Sequence, residues 1–282
     1  MSNFIITADT TMDLPREMIE KYDIRPIASY VSMGGDDMED YPNVTAKDLF
    51  DYVARSGNLP KTAAANLNDY DSFFRKIRET DDRPIIHIAK SSGVSSCFDN
   101  AQLAAREIKD VYCVDSWALG SGTGLLVLRA AQSELTDPEA LVADLNEYRT
   151  RIECSFVIET LDFLYKGGRC SGLAALGAGL LKLRPEIVLT EGHMHPGRKF
   201  RGKYDKVLYD FTADKFAHPE EFEPDVLFVN HTLQDPALLE GLMNYLRGLN
   251  YFKEVIEVPA CAAIATHCGP NTFGFHPVRK KA

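Results

Sequence analysis

Near the C-terminus the chain reads Ile264-Ala-Thr-His267-Cys-Gly269-Pro270. The run before it, Glu254 to Ile264, is apolar and strand-like through Val255, Ile256, Val258 and Ile264. It is expected to end at the histidine, with Gly-Pro as the breaker. Such a strand presents its last polar residue at the C-terminal edge of a sheet, where ligands sit in open α/β folds. A second place of this kind lies earlier. Arg83-Pro-Ile-Ile-His-Ile-Ala89 reads as a buried strand, followed by Ser91-Ser92-Gly93-Val94-Ser95-Ser96 and a helical pattern from Phe98. Free N–H groups and partial positive charge at a helix start, with serine hydroxyls beside them, suit an anionic ligand head. One N-cap needs one serine, and four exceed that need. His267 alone also fits a plain role in capping or core hydrogen bonding.

Other candidates are weaker. Thr62 offers a hydroxyl after Asn58-Leu-Pro60, although an ordinary loop explains Lys61-Thr62 as well. Gly120-Ser-Gly122-Thr-Gly124 falls short of a dinucleotide fingerprint and is better explained by tight helix packing. His193-Met-His195 puts two imidazoles on one strand face, but no third ligand has recognisable spacing, so no metal is expected. Arg198-Lys-Phe-Arg201-Gly-Lys203 is a basic run, either a solvated strand or a dock for phosphate or an acidic partner. Neither a nucleophile elbow nor a phosphate-binding P-loop nor a zinc-protease motif appears. Hydroxyls plus one histidine, without a matched carboxylate base, read as a binding site at least as well as an active site.

The elements that must hold these residues alternate. Strands are expected at Phe4–Thr7, Ile24–Met33, 84–89 and Val111–Val114, with helices over 16–22, 46–56, 68–79, 98–109 and 116–135 between or after them. Thr45 with Asp48 three residues on starts its helix as a capping box. Such alternation predicts a parallel α/β sheet. After a helix from Pro138 to about Arg151 the pattern changes. A strand at Cys154–Ile158, a short helix to Lys166 and a small-residue helix over Ala174–Leu183 precede two antiparallel strands near 186–190 and 194–204. Helices over 205–217 and 236–248 and strands at 225–229 and 255–264 complete a second unit. The reading is two α/β domains, 1–152 and 153–282, with mainly parallel sheets and the ligand site between them.

The 282 residues, 45% hydrophobic and 26% charged, can build a substantial core. A net charge of −10 argues against nucleic acid or an anionic membrane surface as the main partner. Six scattered cysteines without a C-x-x-C pair fit reduced thiols in the cytoplasm. The N-terminus lacks the pattern of a signal peptide, and no apolar run approaches membrane-spanning length.

In order along the chain, several motifs resemble the DegV family of bacterial fatty-acid-binding proteins over nearly the full length. They are Ile6-Thr-Ala-Asp9-Thr-Thr-Met-Asp13-Leu-Pro15, Lys61-Thr62, Ser91-Ser-Gly-Val-Ser95 and Val114-Asp115-Ser116. Further on come Glu159-Thr-Leu-Asp-Phe-Leu-Tyr-Lys166-Gly-Gly-Arg169-Cys-Ser171, Leu183-Arg-Pro185, Arg201 and Thr266-His267-Cys-Gly269-Pro270. The resemblance implies a buried long-chain fatty acid as ligand and no cofactor. Its carboxylate would be held by Thr62 and Ser95, with Ser92 nearby and His267 at the head group. It also implies an ATP-binding kinase subunit as partner, to which the carboxylate is presented for acyl-phosphate formation in phospholipid synthesis, with only transient membrane contact. Arg201 would serve phosphoryl transfer. The family's usual Thr-Ser-Gln-Pro is Thr62-Ala63-Ala64-Ala65-Asn66 here, and its Ser-Gly-Thr is Ser95-Ser96-Cys97. Two other readings stand beside this one. One is an enzyme acting on a small carbonyl or phosphorylated compound through His267; the other is a lipid-binding regulator without a kinase partner.

Overall fold

A computed structural model describes residues 2–169 and 183–281. The helix expected over Ala174–Leu183 lies almost wholly outside these described residues. The fold is α/β. Four parallel strands, Ile5–Asp9 (β1), Arg25–Ile27 (β2), Ile85–Ala89 (β6) and Val111–Asp115 (β7), run in the order β2-β1-β6-β7. Every residue of β1 and β6 is buried, as a parallel sheet covered on both faces requires. A small antiparallel sheet, β4-β3-β5, joins Tyr30–Met33 (β3), Asp36–Glu39 (β4) and Lys61–Ala63 (β5).

The second large sheet takes six strands from residues 154–276: Cys154–Val157 (β8), Leu183–Thr190 (β9), His193–Arg201 (β10), Val226–His231 (β11), Glu254–Pro259 (β12) and Phe273–His276 (β13). Their order is β10-β9-β8-β13-β11-β12. Only β11 and β12 pair in parallel; the other neighbours are antiparallel. The parallel character therefore resides in the first sheet, and the second is mixed. The reason is connectivity: β9 and β10 form a hairpin through Glu191-Gly192, both with positive φ, and a hairpin can only be antiparallel.

The helices are Arg16–Lys21 (α1), Ala46–Ser56 (α2), Leu67–Arg78 (α3), Cys97–Ala105 (α4), Ser121–Ala131 (α5), Pro138–Tyr148 (α6), Asp162–Lys166 (α7), Tyr204–Lys215 (α8), Pro236–Gly248 (α9) and Ala262–Cys268 (α10). The Thr45–Asp48 capping box forms as expected, and Asn66 with Asp69 makes a second at the start of α3. Glycines of α5 serve close packing. A Cβ on Gly122 would lie 2.5 Å from Cys154 Sγ, and one on Gly124 2.6 Å from the Met12 carbonyl.

The C-terminal strand is shorter than its apolar run suggests. It stops at Pro259, and Ala262 to Cys268 coil into α10. Three alanines favour helix, and a short apolar run without alternation does not by itself separate helix from strand. His267 thus sits in the last turn of a helix that follows the sheet edge, rather than on the strand end itself.

Candidate functional site

Between these layers lies a narrow cavity with walls from both halves of the chain. Val94, Leu119, Phe156, Leu164, Met194, Ala263 and Ile264 supply apolar surface. Thr62, Ser95, Arg169 and His267 supply polar groups, joined by Thr11, Ser29 and Lys90.

Thr62 is placed by β5, whose register against β3 sets Thr62 opposite Val31. Its Oγ1 lies 2.7 Å from His267 Nε2, a hydrogen bond across 205 positions of sequence. Among the described residues, His267 Nδ1 is buried without a partner. Burial first, then the Arg169 and Lys90 cations, push the imidazole down to about 4 from its ordinary 6.5, so it is neutral at physiological pH. An orphaned buried N–H is rarer than an under-used acceptor. The proton therefore belongs on Nε2, donating to Thr62 Oγ1, with the bare Nδ1 lone pair left unpaired. That leaves the Thr62 O–H free to donate into the cavity.

The loop after α7 closes over the imidazole. A Cβ on Gly167 would fall 2.4 Å from His267 Nδ1, so only glycine permits this approach. Arg169 follows, its guanidinium donating to the Gly167 carbonyl at 2.7 Å. Gly269, at φ +74°, ends α10, and its missing Cβ makes room for the Phe163 ring 2.6 Å away.

Of the four serines before α4, only Ser95 lines the cavity. Ser91 is buried and donates to the Gly192 carbonyl at 2.8 Å, tying this loop to the β9–β10 hairpin. Ser92 hands its hydroxyl and N–H to the Asp115 carboxylate, at 2.5 and 3.2 Å. It is therefore separate from the group formed by Thr62, Ser95 and His267. Arg201 is exposed at the end of β10 and is not part of the cavity lining. His193 and His195 are both exposed on β10, and neither lines the cavity.

Lys90 and Arg169 extend the set beyond the residues singled out in the sequence. Lys90 Nζ donates to Ser29 Oγ at 2.8 Å. Burial opposes its charge, but nearby groups, Asp9 and Asp40 among them, outweigh that and hold the ammonium above its usual value. The signal was present: a lysine directly follows a buried strand and opens a serine-rich loop. Behind it, Asp40 accepts from Thr10 Oγ1 at 2.6 Å, and Asp13 accepts from the Cys261 N–H at 3.1 Å. The site can therefore do two things. It can enclose an apolar chain, and it can meet an anionic head with hydroxyl donors and two cations without stranding the charge.

The model of the DegV family, described as uncharacterised protein, matches residues 3–280. A fatty acid-binding protein of Thermotoga maritima is 30% identical over 280 residues, covering 96% of both chains. A DegV domain-containing protein of Clostridium perfringens is 28% identical, also over 96% of both. Among solved structures, a DegV family protein from Thermus thermophilus, described for its fatty acid binding, superposes with a TM-score of 0.89 at 27% identity. That match covers 98% of this chain and 99% of the other. DegV of Bacillus subtilis shares the fold at a TM-score of 0.86 and 21% identity, covering 99% of this chain and all of that one.

Proposed function

The chain belongs to the DegV family, and we propose that it binds a long-chain fatty acid, with the acyl chain in the cavity and the carboxylate at Thr62, Ser95 and His267. One observation carries this reading. A threonine hydroxyl oriented by a neutral histidine borders a cavity whose remaining walls are largely apolar. Burying about 15 methylenes is worth roughly 12 kcal/mol gross at ~0.8 each. Association costs on the order of 4–15 kcal/mol, so a preformed site is needed. A carboxylate leaving water must keep its hydrogen bonds, and the Thr62 and Ser95 hydroxyls are placed to supply them. Lys90 and Arg169 balance its charge.

The finer part of the proposal is that the protein acts as a carrier in the cytoplasm without turnover of its own. It would present the carboxylate to an ATP-binding kinase subunit, which makes an acyl-phosphate for phospholipid synthesis. Arg201 supports this through its place: exposed and away from the cavity, it suits a protein contact rather than a ligand contact. Arg201→Ala should leave fatty acid binding unchanged and impair phosphorylation by the kinase subunit; normal phosphorylation would remove Arg201 from that role.

Mass spectrometry of the purified protein, native and after solvent extraction, tests the central reading. A stoichiometric fatty acid is expected. Protein that stays free of lipid after incubation with fatty acids would overturn it and favour a small polar substrate acted on through His267.

A further inference from the structure

Helix α10 separates two polar patches in the wall of the cavity. At its C-terminal end His267 meets Thr62, the place proposed above for the carboxylate. Its N-terminal end is held by Asp13, which accepts the Cys261 N–H at 3.1 Å. From Cys261 to His267 the helix advances about 9 Å at ~1.5 Å per residue. Two side chains that line the cavity gather at the Asp13 end. Asn230 donates to the Asp13 carboxylate at 3.4 Å and to the Val258 carbonyl at 3.2 Å. Thr11 precedes Asp13 by two residues, on a 3-10 turn just past the C-terminal edge of β1.

Thr11 is 1% exposed, and its Oγ1 has no hydrogen-bond partner among the described residues. Other polar side chains of the lining are engaged. Asn230 also accepts the Ser121 N–H at 2.8 Å, Thr272 donates to the Cys268 carbonyl at 3.0 Å, and His231 Nε2 lies 3.1 Å from Glu257. Of the buried side-chain atoms left without a partner among the described residues, only Thr11 Oγ1 and His267 Nδ1 belong to the lining. The imidazole nitrogen is a bare acceptor, which costs less to strand than a donor. A hydroxyl carries a donor as well as lone pairs. A plain polymethylene chain passing Thr11 satisfies neither, whereas an oxygen on the chain gives the O–H a partner.

We propose that the cavity takes an oxygenated acyl chain, a hydroxy or oxo fatty acid, whose mid-chain oxygen hydrogen-bonds to Thr11. This rests on the fatty-acid reading above and narrows its ligand class. The carboxylate lies at one end of α10 and the chain oxygen at the other. A substituent oxygen loses its water on entry, and only one placed opposite Thr11 recovers a hydrogen bond. The site therefore selects the position of the oxygen as well as its presence.

The test measures, by calorimetry, the affinity of stearate and of stearates carrying a single hydroxyl at successive mid-chain carbons. In wild-type protein one position, or two adjacent ones, should bind at least as tightly as stearate, and the others about tenfold more weakly. Thr11→Val keeps the shape and removes the hydroxyl. It should weaken the favoured hydroxystearate about tenfold and leave stearate within about twofold. Thr11→Ser should keep the positional preference, since the hydroxyl is retained. Equal affinities across all positions in wild-type protein would overturn the proposal without any variant, leaving Thr11 a water as its partner. Equal weakening of both probes by Thr11→Val would overturn it too. Wild-type protein that binds neither stearate nor any hydroxystearate would instead sink the fatty-acid reading itself.

Discussion

Thr62 and Ser95 carry the claim at the scale of single residues. Each would lose a hydrogen bond to a charged group on truncation, worth about 1.5–3 kcal/mol. Thr62→Ala combined with Ser95→Ala should therefore weaken fatty acid retention by at least tenfold, measured by extraction and mass spectrometry; retention equal to wild type would sink the assignment. Asp13 gives a pH prediction with a definite sign. Burial, only partly offset by its bonds to Cys261, raises its carboxyl from 3.8 to about 7. Between those values the folded protein holds a proton that the unfolded chain has released, so Asp13 costs stability progressively as pH rises from about 4 to about 7. Asp13→Asn removes that term. Relative to wild type, the variant should gain stability across this window in urea melts from pH 4 to 8. A pH-independent difference would refute it. The family resemblance, more than any local pattern, singled out Thr62, Ser95 and His267 together, and all three line the cavity. Ser92 shares the serine-rich loop, but its hydroxyl is captured by Asp115, 23 positions on. That kind of competition is invisible without the fold.

At the scale of elements, capping chemistry was the readable part. Thr45 and Asp48 lie three positions apart and need nothing distant to find each other, so the start of α2 falls where expected. The end of β12 was not readable. In sequence, Val255 to Ile264 is one nearly unbroken apolar run, and such a run carries no alternation that tells strand from helix. The consequence is functional, because a helical His267 can reach back to Thr62 on β5. Gly269 fixes where that helix stops. Gly269→Ala would combine a strained positive φ with a Cβ 2.6 Å from Phe163. It should cost about 2–4 kcal/mol, from backbone strain and overpacking together. Urea denaturation checks this, and a loss under about 1 kcal/mol would mean that α7 yields freely.

The whole molecule divides in sequence more cleanly than it does in its core. We propose the division at 152/153 from the change in strand–helix pattern, yet one continuous core crosses it. Ile6, Leu125 and Leu126 from the first half pack in the same cluster as Phe228, Val258 and Val278 from the second. Helix α5 lies against β1 and β6 on one side and β11 on the other. Each of those large apolar residues is worth roughly 1.5–3 kcal/mol when fully buried. A fragment of residues 1–152 would therefore lose several such contributions, comparable to the net stability of a domain. It should fail to show a cooperative melt, while the full chain unfolds in one transition; a soluble fragment with its own sharp transition would show that the halves are separable. The proposed ligand site spans the same seam, with Thr62 and Ser95 on one side and His267 on the other. Fatty acid should accordingly shift the single transition upward as one unit, by about 2.7 kcal/mol at a hundredfold excess over its dissociation constant. Two transitions of which only one responds to palmitate would place the binding energy in one half and contradict a site built from both.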